Sequence, residues 1–268
     1  EKGFRAARKK GIANIFFVNK LDSAHADFYK VFEELKIKFG PMVCPIVVPY
    51  VVDHQVQCYV NLLEYKAYTY ADGKATEVPI PDMGHRLEGL RTAMYEAVAE
   101  TSEELMEKYF SGEAFTPDEL IMGLATGIRR GEIAPVFCGS AQQLEGVDQL
   151  LNGLRWLAPW AETVAGENGV DPDGNEVALT VNENAQTAAI VFKSVVDPFV
   201  GKLLYFKVIC GKVSPDTQLL NMRTGQQEKI GKVFYVRGKK QEEAPYIGAG
   251  DIGAVAKLNN TNTGDTLC

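Results

Sequence analysis

Apolar and polar positions follow two different rhythms along this chain. The first ten residues are basic and amphipathic and predict a helix, which Gly11 ends. Residues 12–18 form a short apolar run of the kind that fills a buried strand. Residues 26–39 carry Phe28, Val31, Phe32, Leu35 and Phe39 at helical spacing, and Gly40-Pro41 stops them. Residues 42–52 are apolar and β-branched, a strand. Strand, loop, helix, strand is the alternation of a parallel α/β sheet.

The rhythm then changes. Residues 56–70 are rich in Val, Tyr and Thr, and Asp72-Gly73 turns the chain into 76–80, a predicted hairpin. Residues 87–110 predict a long helix with Leu87, Leu90, Met94, Val98, Leu105, Met106 and Tyr109 inward, divided near Thr101-Ser102. Thr116-Pro117-Asp118-Glu119 predicts a helix start, running to about residue 130. Thr116 accepts an orphan N–H there, Pro117 suits the first helical position, and Glu119 reaches back as a capping box. Residues 53–130 are thus expected to form a self-contained inserted α/β subdomain. The first pattern resumes with an apolar strand at 133–138, a loop at Gly139-Ser140-Ala141, and a helix over 146–157. Segments 1–52 and 131–160 are therefore expected to share one parallel sheet.

Residues 161–185 are polar, with Pro172 and Gly174, and predict a linker or loose loop. Within 186–268, β-rich runs at 188–196, 202–209, 218–222, 228–236 and 252–258 are separated by turn residues. That spacing predicts a small antiparallel β-barrel. The expected fold class is α/β and all-β, multidomain.

Composition narrows the setting. No apolar run approaches bilayer length and no basic-then-apolar leader opens the chain, so a cytoplasmic protein without membrane contact is expected. The five cysteines, Cys44, Cys58, Cys138, Cys210 and Cys268, never form a CxxC pair and suggest neither a zinc site nor a disulfide framework. Charge is uneven: residues 186–268 hold 11 Lys/Arg against 7 Asp/Glu, or +4, and the remainder 17 against 28, or −11. Such asymmetry points to different partners for the two parts, although two solvated surfaces would produce it too. The chain opens inside a helix without methionine and closes as a strand begins, so a segment of a longer protein is expected.

Asn19-Lys20-x-Asp22 sits where a nucleotide-binding loop belongs, at the C-terminal end of a parallel strand. A carboxylate at Asp22 can accept two parallel hydrogen bonds from guanine N1–H and N2–H₂, a donor pair that adenine lacks. The Asn19 amide can complement the purine edge and tie neighbouring loops together. The aliphatic stem of Lys20 can lie across the base while its ammonium stays hydrated. The plainer alternative is a solvent-facing loop in which Asp22 or Ser23 caps the helix that follows. The second element is Cys138-Gly139-Ser140-Ala141, after another apolar strand and before another helix. There the backbone N–H of Ala141, or of its neighbour, could donate to guanine O6, and small residues let the backbone approach. Alone it is equally a strand-to-helix turn with a serine cap; paired with Asn19–Asp22 in this order, the nucleotide reading prevails.

The pair resembles the fourth and fifth guanine-nucleotide motifs of the translational GTPases, and the large insertion between them resembles the extra subdomain of the elongation factor G type. The resemblance continues through Asp197-Pro198-Phe199-Val200-Gly201-Lys202-Leu203, Gly211-Lys212-Val213, Arg237-Gly238-Lys239-Lys240 and Thr263-Gly264-Asp265-Thr266-Leu267. It implies a partial P-loop-GTPase-like sheet with an α/β insertion, followed by a second, β-barrel domain. It also implies GTP or GDP as ligand, bound here through the guanine alone by Asn19, Lys20, Asp22, Gly139, Ser140 and Ala141. The implied work is GTP-driven ribosomal translocation by a monomer, with the barrel on small-subunit ribosomal RNA and the inserted subdomain toward the stalk proteins. Ribosomal protection proteins and the class-3 release factor share this layout, and a ribosome-binding module without nucleotide function is a further alternative.

The sequence holds no GxxxxGK[ST] loop. In the family that loop, the Mg²⁺-holding Thr and the DxxG segment lie upstream of the first helix here. Asp171-Pro172-Asp173-Gly174 matches DxxG literally but falls on the wrong side of the guanine motifs. The chain by itself is therefore expected to be inactive. His25, His54 and His85 stand isolated on polar stretches and are expected at the surface or in caps.

Overall fold

A computed structural model describes residues 1–163, 166–171, 174–197 and 201–268, so Pro172 and Asp173 of the DxxG match and Pro198–Val200 of the family resemblance lie outside the described residues. The chain divides into two compact units, Glu1–Pro159 and Trp160–Cys268.

The first unit opens with α1 (Lys2–Lys9), β1 (Phe16–Val18), α2 (Phe28–Phe39) and β2 (Val43–Pro45). An antiparallel sheet follows, made of β3 (Val47–Val52), β4 (Gln55–Asn61), β5 (Lys66–Ala71) and β6 (Lys74–Val78). Then come α3 (His85–Ala99), α4 (Glu103–Ser111), α5 (Pro117–Arg130), β7 (Ala134–Cys138) and α6 (Val147–Leu157). The parallel sheet has the order β1-β7-β2, with Val18 opposite Cys138 and Pro45 opposite Val136. That register places the chain segments leaving β1 and β7 side by side. Phe4, Phe16 and Phe39 cluster with centroids 4.3–5.5 Å apart and pin α1 and α2 onto β1.

Local signals hold up well here. Asp72 and Gly73 both take positive φ, 50° and 72°, as the tight β5–β6 turn requires. Ser102 caps α4 by accepting the Leu105 N–H, so the long helix does divide there. Thr116 and Glu119 form the reciprocal capping box.

Four expectations for this unit need correction. The single strand over 42–52 is two strands in two sheets, hinged at Ile46. Its N–H donates to Val136 of the parallel sheet at 2.9 Å, and its carbonyl accepts at 2.8 Å from Leu62, the residue that follows β4 of the antiparallel one. The insertion is not self-contained, because one apolar core runs through Phe28, Val43, Val47, Tyr59, Met94, Leu124 and Phe137. The run at 12–18 contributes only Phe16–Val18 to the ladder, and these residues are half-buried because β1 borders a described strand on one side alone. On α2, Val31 is exposed while Phe28 and Phe32 carry the buried face.

In the second unit the stretch read as a loose linker contains an antiparallel hairpin, β8 (Glu167–Val170) with β9 (Glu176–Leu179). Its polar residues and Gly169 conceal the strand period. The unit continues through β10 (Ala188–Asp197), β11 (Gly201–Cys210), β12 (Lys212–Val213), β13 (Gln218–Asn221), β14 (Gln226–Lys229), β15 (Val233–Arg237), β16 (Lys240–Ala244), β17 (Ile247–Gly248), β18 (Ile252–Ala256) and β19 (Thr266–Leu267). Eight of them form an antiparallel sheet in the order β14-β13-β19-β10-β11-β18-β15-β16. Val191, Phe206, Leu219, Val233, Ala244, Val255 and Leu267, from strands along the whole sheet, meet in one core, so the sheet curls around it. The run at 228–236 is two strands, broken where the Ile230 N–H donates to Thr217 and the chain leaves one ladder for the next.

Candidate functional site

The parallel register brings Asn19 and Gly139 out of adjacent strands together. Leu21 N–H donates to the Gly139 carbonyl at 3.1 Å, and Ala141 N–H donates to Asn19 Oδ1 at 2.9 Å across 122 residues of sequence. Asn19 Oδ1 also accepts the Lys20 N–H at 2.7 Å. Lys20 is exposed with φ of 65°, a strained conformation for a lysine.

The loop after β7 is set tightly. Ser140 and Glu145 exchange both backbone hydrogen bonds, at 3.0 and 2.9 Å, closing a short lasso. A Cβ on Gly139 would lie 2.0 Å from the Glu145 carbonyl oxygen, so only glycine permits that approach. Ser140 is fully buried and its Oγ accepts the Gln143 N–H at 3.1 Å, so the serine turn weighed as the plain alternative is present within the site.

The other plain alternative is not realised. Asp27 caps α2, accepting the Lys30 N–H at 3.0 Å. Among the described residues Asp22 is exposed and accepts no hydrogen bond, and the Asn19 amide nitrogen donates none. The Ala141 N–H, expected to face a purine oxygen, is already engaged by Asn19, whereas the Gln142 N–H has no protein acceptor among the described residues. The six residues singled out from sequence thus stand on two joined loops, with a carboxylate, an amide and a backbone donor left unengaged.

Sequence reasoning missed the groups that hold these loops from outside. Tyr59 of β4 donates its hydroxyl to Glu145 at 2.8 Å, and Tyr70 of β5 donates to Asp148 at 2.5 Å. Asn61 donates to Gln149 at 2.8 Å. Burial first, and then the adjoining carboxylates, push both phenols far above the ordinary tyrosine value, so they remain donors. Tyr29 of α2 reaches the Pro49 carbonyl at 2.7 Å, and its phenol is raised to about 12, chiefly by burial. No sequence signal near either motif points to these partners.

Residues 1–159 match the family described as Elongation factor Tu GTP binding domain, and residues 186–268 match Elongation factor G domain 2. A crystal structure of a protein from Thermus thermophilus is similar over 99% of this chain at 27% identity, with a TM-score of 0.82. The chain spans 37% of that protein's length.

Proposed function

The chain belongs to the elongation factor Tu GTP-binding domain family, and from that premise we propose that it is the guanine-recognising part of a translational GTPase of the elongation factor G type. The observation that carries this reading is the bond from the Ala141 N–H to Asn19 Oδ1, which joins two loops suited to one purine ring. Asp22 accepts guanine N1–H and N2–H₂, the free Asn19 amide nitrogen faces the purine edge, and the Lys20 stem covers the base. Guanine O6 is met from the 139–142 loop, by Gln142 N–H or by an Ala141 N–H shared with Asn19. Adenine is refused because it would leave the Asp22 carboxylate facing an acceptor.

These residues bind and orient the base. The phosphates have no GxxxxGK[ST] loop here, and Mg²⁺ has no set of three or more acidic, His or Cys ligands among the described residues, so no hydrolytic step is assigned through them. In this reading residues 1–46 and 131–159 belong to the nucleotide domain, 47–130 face the stalk proteins, 161–185 connect, and 186–268, at +4, face small-subunit RNA in a cytoplasmic monomer. The match of 186–268 to Elongation factor G domain 2 supports the translocating type.

The test uses the whole protein with ribosomes, following GTP hydrolysis and movement of transfer RNA together. Ribosome-stimulated hydrolysis coupled to movement is expected. Hydrolysis without movement would return the reading to a ribosomal-protection or release-factor type, and no hydrolysis to a binding module.

A further inference from the structure

The inserted sheet is hydrogen-bonded to the segment that carries Ala141 through Tyr59, Asn61 and Tyr70. The Tyr59 link leads directly to the site. Its hydroxyl donates to the Glu145 carboxylate, the Glu145 backbone is paired in both directions with Ser140, and the next residue, Ala141, donates to Asn19. Little slack exists along this path. Gly139 and Gly146 each lie so near the facing backbone that a Cβ would come within 2.0 and 2.3 Å of a carbonyl oxygen. Tyr59 itself is 2% exposed, edge-on to Tyr70 at a centroid distance of 5.6 Å, and so held rigidly. The Asp72-Gly73 turn touches the same loop, since a Cβ on Gly73 would lie 3.0 Å from the Leu144 Cβ.

We propose that Tyr59 is a positioning residue for the purine site: through Glu145 it sets the place of the 140–142 backbone, so the inserted sheet governs how long a guanine nucleotide stays bound. This rests on the function proposed above. A phenol-to-carboxylate bond is charge-assisted and directional, and it fixes the main chain that Glu145 shares with Ser140. A ligand or partner that shifts β4 would shift the 140–142 donors with it, and the coupling is reciprocal.

The experiment measures release of a fluorescent GDP from the whole protein. Tyr59→Phe removes only the hydroxyl and is expected to speed release roughly fivefold while guanine preference is kept. Glu145→Ala should act alike, and the double variant should go no further than either single one. Glu145→Gln, whose amide oxygen still accepts from the phenol, should restore slow release, which a packing role for Tyr59 does not predict. Unchanged release in both Tyr59→Phe and Glu145→Ala overturns the proposal, provided Asp22→Asn still shifts base preference. If Asp22→Asn leaves preference unaltered, the site reading itself fails and this proposal goes with it.

Discussion

Asn19 Oδ1 accepts the Ala141 N–H at 2.9 Å, so one amide side chain bridges the ends of two neighbouring parallel strands. Asn19→Ala removes the bridge and also the unengaged nitrogen that faces the site. Both loops are exposed at these residues, so the freed N–H returns to water and the stability cost should stay near ~1 kcal/mol. Guanine nucleotide affinity of the whole protein should fall by about tenfold or more, because the bridge and a ligand contact go together. Calorimetric titration beside a thermal melt separates the two effects. Equal affinity in the variant would remove Asn19 from the site.

Asp22 has no structural work among the described residues, which makes its substitution clean. Asp22→Asn should leave stability within about 0.5 kcal/mol. In the whole protein it should move preference from guanine toward xanthine nucleotides, whose 2-oxo group accepts where guanine donates. Competition between GTP and XTP reads this directly, and a retained GTP preference rules the carboxylate out.

The converse holds five positions on. Asp27→Ala deletes the cap on α2 and should cost about 1 kcal/mol of stability with base preference intact. A change in preference with this variant would mean that the two aspartates have been assigned the wrong way round.

Much of the candidate site was legible because its signals are local. Apolar strands at β1 and β7, each followed by small or polar loop residues, locate both halves, and the Thr116–Glu119 box fixes α5 without tertiary help. What escaped depends on distant contacts. The hinge at Ile46 lies inside an unbroken apolar run, where one residue serves two sheets and no periodicity changes. The two-residue strands β12, β17 and β19 are too short to show alternation. Glu145 is an unremarkable loop acid in the sequence, and only the fold brings Tyr59, 86 residues away, onto it.

Gly139 tests whether the loop tolerates any displacement. A methyl group there meets the Glu145 carbonyl oxygen and the edge of Phe17. Gly139→Ala should therefore cost roughly 1–3 kcal/mol as an overpacking change and loosen nucleotide binding in the whole protein. Gly131→Ala is the control: it costs stability through its φ of 71°, a strain Gly139 does not carry, and nothing lies within 4 Å of the added carbon, so binding should persist. Equal losses of binding in both variants would attribute the effect to lost stability rather than to displacement of the 139–145 loop.

The β domain carries its own acid-sensitive bond. Arg223 grips Asp265 through Nε at 2.5 Å and a terminal nitrogen at 2.9 Å, while Asn221 and the Asn262 N–H donate to the same carboxylate. Arg223 first, and then these amides, hold Asp265 well below the usual carboxylate range against the opposing effect of its burial. A depressed folded value means that the stabilisation is fully present above the unfolded value, near ~3.9, and is lost as pH falls from there toward the folded one. Asp265→Asn should lower the melting temperature of the β domain at pH 7, and the gap from the parent should narrow steadily below about pH 4. Melting both proteins as intact chains between about pH 7 and pH 2 checks this. A gap that stays constant across the range would assign the role of Asp265 to its shape and neutral hydrogen bonds, since a charge effect must vanish once the parent carboxylate is protonated.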